Sequence, residues 1–140
     1  MTQKVLLSIR GKQSYPGQDP EIIELVTEGT MTAIPGGWDI SYEESDLTGL
    51  AGTTTIFRME PGCVTLTREG PLSSLMVFRQ GVPHESLYQM PFGAMMITVC
   101  ANRVFFDLDD QGGVIDLVYA IEIENTAAGL IEYHLDIQAK

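Results

Sequence analysis

The sequence predicts an all-β fold, a single antiparallel up-and-down β-barrel of eight to ten strands formed by residues 1–140. Three observations lead to this prediction. Glycine and proline recur at short intervals, the segments between them are too short for most helices, and apolar residues in those segments alternate with polar ones. A length of 140 residues is that of one domain.

The predicted strands follow one another along the whole chain. Apolar residues occupy the odd positions from 131 to 137 and polar residues the even ones, and the segment from Trp38 to Tyr42 alternates in the same way. A period of two is typical of a strand with one buried face. The segment that best suits a helical turn is 45–50. The predicted strands span residues 3–12, 21–34, 37–45, 52–60, 63–69, 73–80, 84–90, 94–109 (with a break considered near Ala101-Asn102), 114–124 and 129–138.

The short links between these strands favour antiparallel neighbours throughout. A long meander has to protect its two edge strands, and closure into a barrel does this most simply. An eight-stranded barrel has an interior that side chains can just fill or that can hold one small ligand. The fold therefore leaves open whether the interior is a core or a binding site.

Composition excludes several classes of partner. The net charge of -11 and the pI near 4.3 disfavour nucleic acid and anionic membranes. No apolar run approaches the roughly 20 residues of a spanning helix, and no signal-peptide pattern is present, so we expect a cytoplasmic protein. In that compartment Cys63 and Cys100 are expected to be free thiols. We expect no metal and no cofactor, since neither clustered ligands nor a phosphate-binding glycine motif is present.

Two motifs resemble known sites only superficially. Residues 107–112 resemble the start of a calcium loop, but position twelve is Val118 instead of glutamate, so a hairpin turn is the better interpretation. Gly36-Gly37-Trp38 matches the Gly-x-Trp motif of lipocalins on the wrong strand, and Trp38 is expected to close a barrel end. Neither His84 nor His134 has a nucleophilic partner at a suitable spacing, so no catalytic residue is predicted.

Arginine and tyrosine are the candidate ligand-binding residues. Arg68 is in phase with two apolar residues of its strand, so it is expected to point into the barrel, and Arg79 is a second candidate although Met76 and Phe78 compete with it for the inside. Arg58 is expected to face solvent. A buried guanidinium can orient a carboxylate or a phosphate. Alternatively, an arginine at the barrel edge could pair with a glutamate, for which the candidates are Glu44, Glu60, Glu69 and Glu122. The tyrosines on predicted inward faces can line a pocket or simply fill a core: they are Tyr42, Tyr88, Tyr119 and Tyr133.

Six short segments, spread over nearly the whole chain, match a known family in order. They are Ile9-Arg10-Gly11-Lys12-Gln13, Ile40-Ser41-Tyr42-Glu43-Glu44, Gly52-Thr53-Thr54-Thr55, Arg68-Glu69-Gly70, Met76-Val77-Phe78-Arg79-Gln80-Gly81 and Tyr88-Gln89-Met90-Pro91-Phe92-Gly93. Together they resemble the YwiB-like family of small bacterial proteins, which has a calycin-like (lipocalin-like) barrel and a domain of unknown function. One departure is Met90, where threonine would match the family. The resemblance implies the barrel and a cytosolic setting, and it brings no activity or catalytic residue.

Three functions remain open at this point. The first is a non-enzymatic barrel that holds a small apolar or amphipathic ligand, with a carboxylate anchored by Arg68; an internal void lined by tyrosine, methionine and one arginine would favour it. The second is a structural or interaction protein, acting as a homodimer, for which a filled interior and an exposed apolar patch are expected. An enzyme ranks third, and convergence of Arg68, a tyrosine and a buried glutamate would favour it.

Overall fold

The computed structural model describes residues 2–44, 51–124 and 126–140. In this part of the chain it contains ten β-strands and no helix, and no helix there could cross a membrane. The helical turn predicted at residues 45–50 lies outside the described residues. The strands are β1 (Thr2–Ser14), β2 (Glu21–Ile34), β3 (Gly37–Glu43), β4 (Thr54–Glu60), β5 (Cys63–Glu69), β6 (Ser74–Phe78), β7 (Pro83–Met90), β8 (Gly93–Asp109), β9 (Gly112–Ile123) and β10 (Thr126–Ala139).

The ten strands form one antiparallel sheet whose ends almost meet. Consecutive strands pair from β1 to β6 and from β7 to β10, and β1 also pairs with β10, in a register that runs from Val5 opposite Ala139 to Ser14 opposite Leu130. This arrangement confirms the predicted up-and-down barrel. We considered a break in the eighth strand near Ala101-Asn102. In the structure β8 continues through these residues, and its pairing with β9 has a bulge between Ala101 and Arg103.

Closure is incomplete at one place, between β6 and β7, which we call the seam. At one end of the seam Val82 N–H donates to the Arg79 carbonyl (2.9 Å), and at the other Ser73 and Gln89 exchange two backbone hydrogen bonds of 2.8 Å. Between them, Val77 N–H donates to Nδ1 of the His84 side chain (3.4 Å). Within the described residues, β6 and β7 therefore share no regular ladder.

Turn chemistry explains the sharp link between β8 and β9. The Asp109 carboxylate accepts a hydrogen bond from Gln111 N–H (2.8 Å), as in an Asx turn. Gly112 has a φ of 117°, and a Cβ there would lie 2.0 Å from the Ile137 carbonyl oxygen, so only glycine fits. The calcium-like segment is thus a hairpin turn, as expected, and the described residues contain no cluster of three metal-binding side chains.

The barrel interior divides into two halves. Odd-numbered strands run toward one end of the barrel and even-numbered strands run away from it. The half of the interior where the even-numbered strands end is the closed half, in which large apolar side chains are fully buried. Full burial stabilises the fold by about 1.5–3 kcal/mol for each such side chain. The largest of these side chains include Leu7, Met31, Phe57, Met59, Leu66, Phe78, Leu117 and Leu135.

Candidate ligand-binding cavity

The other half, which we call the open half, surrounds a cavity of about 350 Å³. Every strand except β4 contributes to its lining, through the last residues of odd strands and the first residues of even ones. Most of the lining is apolar. The apolar residues are Ile9, Ile23, Leu25, Met76, Met95, Ile97, Ile121, Ile123 and Ile131, and the polar ones are Gln13, Tyr15, Tyr42, Glu44, Arg68, Tyr88, Tyr119 and Tyr133.

Arg68 is the only cationic side chain among the described residues that line this cavity. It is 7% exposed. It starts on β5, and its Nη2 donates a hydrogen bond to the Tyr133 hydroxyl on β10 (3.1 Å). In a ring of ten strands β5 and β10 are opposite each other, so the hydrogen bond between Arg68 and Tyr133 spans the interior beside the cavity.

The guanidinium of Arg68 is incompletely satisfied. Its Nε is buried and has no hydrogen-bond partner, and no carboxylate of the described residues forms an ion pair with it. Arginine carries five N–H donors and remains charged at any ordinary pH. A buried charge of this kind is costly unless an anion or several acceptors compensate it.

Neutral phenols surround this charge. Burial raises the pKa of Tyr42 and of Tyr119 well above the ordinary value, and the carboxylate of Glu44 raises that of Tyr42 further. Burial also raises the pKa of Tyr88, although the nearby Arg68 opposes the shift. These hydroxyls therefore stay protonated, and they offer the cavity O–H donors rather than anions.

Glu44 is a buried carboxylate in the same cavity, and it too is 7% exposed. The hydroxyl of Thr55 donates to its Oε1 (2.9 Å), and its backbone N–H donates to the Thr53 carbonyl (2.8 Å). From the sequence, Glu44 is a possible partner for an arginine and is not among the predicted ligand-binding residues. Its phase with Ile40 and Tyr42 was the signal that places it on the inward face.

The structure brings together all but one of the ligand-binding candidates from the sequence. Arg79 is the exception, since it is exposed at the turn between β6 and β7 and does not line the cavity. Arg58 faces solvent as expected, and both Nε and Nη2 donate to the Asp39 carboxylate at 2.8 and 2.9 Å. The candidates that meet at the cavity are Tyr42, Arg68, Tyr88, Tyr119 and Tyr133.

These features define a class of protein, a ten-stranded antiparallel barrel with one closed half and one half that surrounds a polar-centred cavity. The chain belongs to the family DUF1934, a domain of unknown function, whose model matches residues 7–137. Its fold is similar to that in the crystal structure of ywiB protein from Bacillus subtilis, with a TM-score of 0.89 and 22% sequence identity over 99% of this chain and 93% of that chain. The search of curated proteins gave no match. The resemblance noted in the sequence is therefore confirmed.

Proposed function

We propose that the barrel binds a small amphipathic carboxylic acid, with the carboxylate on Arg68 and the apolar part toward the open end. The observation that carries this proposal is a buried guanidinium in a cavity, without a carboxylate partner among the described residues. A cavity of about 350 Å³ is at the lower end of the range of about 300–1,000 Å³ usual for small-molecule sites.

A carboxylate supplies what Arg68 lacks. It brings the missing negative charge, and its two oxygens match the planar fork of a guanidinium. The tyrosine hydroxyls can donate to the same oxygens. The charged group of the ligand would thus occupy the inner end of the cavity, where water is already excluded from much of the polar lining.

The apolar part of the ligand has a matching surface. Ile23, Leu25, Ile121 and Ile123 line the cavity and remain only partly buried in the protein. Covering such surface is favourable by about 25 cal/mol per Å². Arg68, tyrosines and the buried Glu44 do converge in this cavity, which is the condition that would favour an enzyme. We propose binding because the contacts described above require only hydrogen bonds and charge pairing with the ligand.

Isothermal titration with decanoic acid and with decanol tests this proposal. Decanoic acid should bind the unmodified protein more tightly than decanol, and Arg68→Met should weaken its binding by about tenfold or more, because a charge-assisted hydrogen bond contributes about 1.5–3 kcal/mol. Arg58→Gln is the matched control, since it removes the same charge from the outer surface, and it should bind as the unmodified protein does. Equal affinity of the Arg68→Met protein for decanoic acid would contradict the proposal.

The same variant separates a binding role from a structural one. If Arg68 exists for a ligand, replacing its buried charge by a methionine should leave the empty protein at least as stable in a urea titration. If Arg68 serves the fold alone, Arg68→Met should destabilise the protein strongly. The two roles therefore predict opposite changes in the free energy of unfolding.

Self-association is the second candidate, and one observation favours it. Leu75, Leu87 and Met96 are 45%, 47% and 39% exposed, and they lie on the outer face of β6, β7 and β8 beside the seam. Leu87 and Met96 are direct cross-strand partners. Exposed apolar side chains that adjoin one another are typical of interfaces. Native mass spectrometry of the protein would show a dimer, which Leu87→Asp should dissociate.

A further inference from the structure

Two buried charges of opposite sign line one cavity without pairing. Arg68 and Glu44 are each 7% exposed, and the described residues include no ion pair between them. Two unpaired charges in a low-dielectric interior attract each other strongly and are costly to keep apart. This arrangement therefore indicates which chemical groups a ligand of the cavity should carry.

The backbone register explains why the two groups stay separate. Thr55 on β4 lies directly opposite Arg68 on β5. The Glu44 carboxylate is held by the Thr55 hydroxyl, close to the point where the Arg68 side chain starts, whereas the guanidinium extends away from that point to Tyr133. Tyr42 lines the same cavity as both, and Glu44 raises the pKa of its phenol whereas Arg68 lowers it.

Glu44 has unused acceptor capacity. A carboxylate offers about four lone-pair positions, and the Thr55 hydroxyl donates to one oxygen at 2.9 Å. The Tyr42 phenol is a second donor beside this carboxylate among the described residues. Because Glu44 lines the cavity, its remaining acceptor capacity is available to a ligand. A ligand that presents only a carboxylate and an alkyl chain would cover the remaining acceptor positions of Glu44 without donating to them, which is unfavourable for a buried charged group.

We infer that the preferred ligand is a hydroxycarboxylic acid, whose carboxylate binds Arg68 and whose hydroxyl, close to the carboxylate, donates to Glu44. This inference rests on the proposed function of the cavity and adds the chemistry of a second contact. A hydroxyl satisfies the acceptor without the desolvation cost that a second ligand charge would add. The apolar remainder of the molecule extends toward the open end.

Titration with three isomeric or nearly isosteric acids tests the inference. β-Hydroxydecanoic acid should bind about tenfold more tightly than decanoic acid, because the hydroxyl makes a hydrogen bond to a charged group. ω-Hydroxydecanoic acid has the same composition but carries its hydroxyl at the far end, and it should show no gain. In the Glu44→Gln protein, an isosteric change that keeps an acceptor for Thr55, the preference should fall to within about threefold.

The outcomes separate the two proposals. If decanoic and β-hydroxydecanoic acids bind equally and both depend on Arg68, the inference is wrong and the proposed function stands. If neither acid binds, both are wrong. α-Aminodecanoic acid is the last probe: tighter binding of this acid than of the hydroxy acid would mean that the donor is an ammonium group, and the assignment of a hydroxyl would be overturned.

Discussion

The closed and open halves of this barrel are made by the same strands, yet one is solid and the other surrounds a cavity. In β5, Val64 and Leu66 are fully buried in the closed half, and Arg68, two residues further along the same face, lies at the boundary of the cavity. In β9, Leu117 belongs to the packed core and Ile121 to the cavity wall. Alternation therefore specifies which residues point inward, whereas their volumes and polarity decide whether the space between them is filled.

The largest contrast is expected for truncation of a large apolar side chain in each half. Phe57→Ala should reduce the free energy of unfolding by about 3–5 kcal/mol, because Phe57 is fully buried in the closed half. Its ring also packs edge-on against that of Tyr133, with the two ring centroids 6.3 Å apart. Ile121→Ala should cost less than about 1.5 kcal/mol, since this side chain already faces a cavity. Urea titration measures both values, and equal losses would show that the halves are packed alike.

A smaller contrast is expected for two glycines on inward faces. A Cβ at Gly29 would lie 2.5 Å from the Ser41 carbonyl oxygen and 2.8 Å from Leu7 Cδ1, so Gly29→Ala should destabilise the protein by about 1–3 kcal/mol.

At Gly11, beside the cavity, the nearest atom to an added Cβ is Tyr133 Cε1 at 3.6 Å, an ordinary contact. Gly11→Ala should therefore either leave the stability unchanged or raise the free energy of unfolding by about 0.4–1 kcal/mol, because alanine reduces the conformational entropy of the unfolded chain. Thermal unfolding of the two variants gives the comparison, and a large loss for Gly11→Ala would contradict it.

The smallest effect is expected for His134, which lies on the outer surface and belongs to neither half of the interior. Hydrogen bonding to Asp116 raises the pKa of His134 above its ordinary value, despite opposing desolvation, and Asp136 contacts the same ring at 3.2 Å. A raised pKa means that the folded state binds the proton more tightly. The resulting stability is fully present below about pH 6.5, the unfolded value, and is lost as the pH rises through the folded pKa.

Because the side chain of His134 is 43% exposed, solvent screening limits this contribution to less than about 1 kcal/mol. Melting temperatures of the unmodified protein should fall slightly between about pH 6 and pH 8. His134→Gln should remove that part of the slope. An unchanged slope in the variant would show that another group is responsible.

The sequence predicted the number and order of strands because turn residues and alternation are local signals. It also predicted that Arg68 points inward. The sequence did not decide whether Arg79 faces the interior, and in the structure it faces outward. The reason is that Met76 and Phe78, from the same strand, occupy the interior. Burial of these two large apolar side chains places Arg79 on the opposite face.

Two features of the cavity were beyond local signals. The phase of Glu44 with Ile40 and Tyr42 indicates an inward face, but its hydrogen-bond partner is the Thr55 hydroxyl on β4, and a single sequence does not state which residues of two strands meet. The position of the cavity depends on volumes summed across nearly every strand. The incomplete ladder at the seam is likewise a property of pairing between strands, with the His84 side chain in place of a backbone acceptor.

Pairing of β1 with β10 also has a consequence for the route by which this chain folds. In the part of the chain that the structure describes, every other ladder joins strands that are neighbours in sequence and can form as a hairpin. The β1–β10 ladder joins Val5 to Ala139 and so requires the two ends of the sheet to meet. Contacts between such distant residues slow folding, because the entropy of loop closure must be overcome before they form. The amides that bond between β1 and β10 should therefore be the last to gain protection from exchange during refolding.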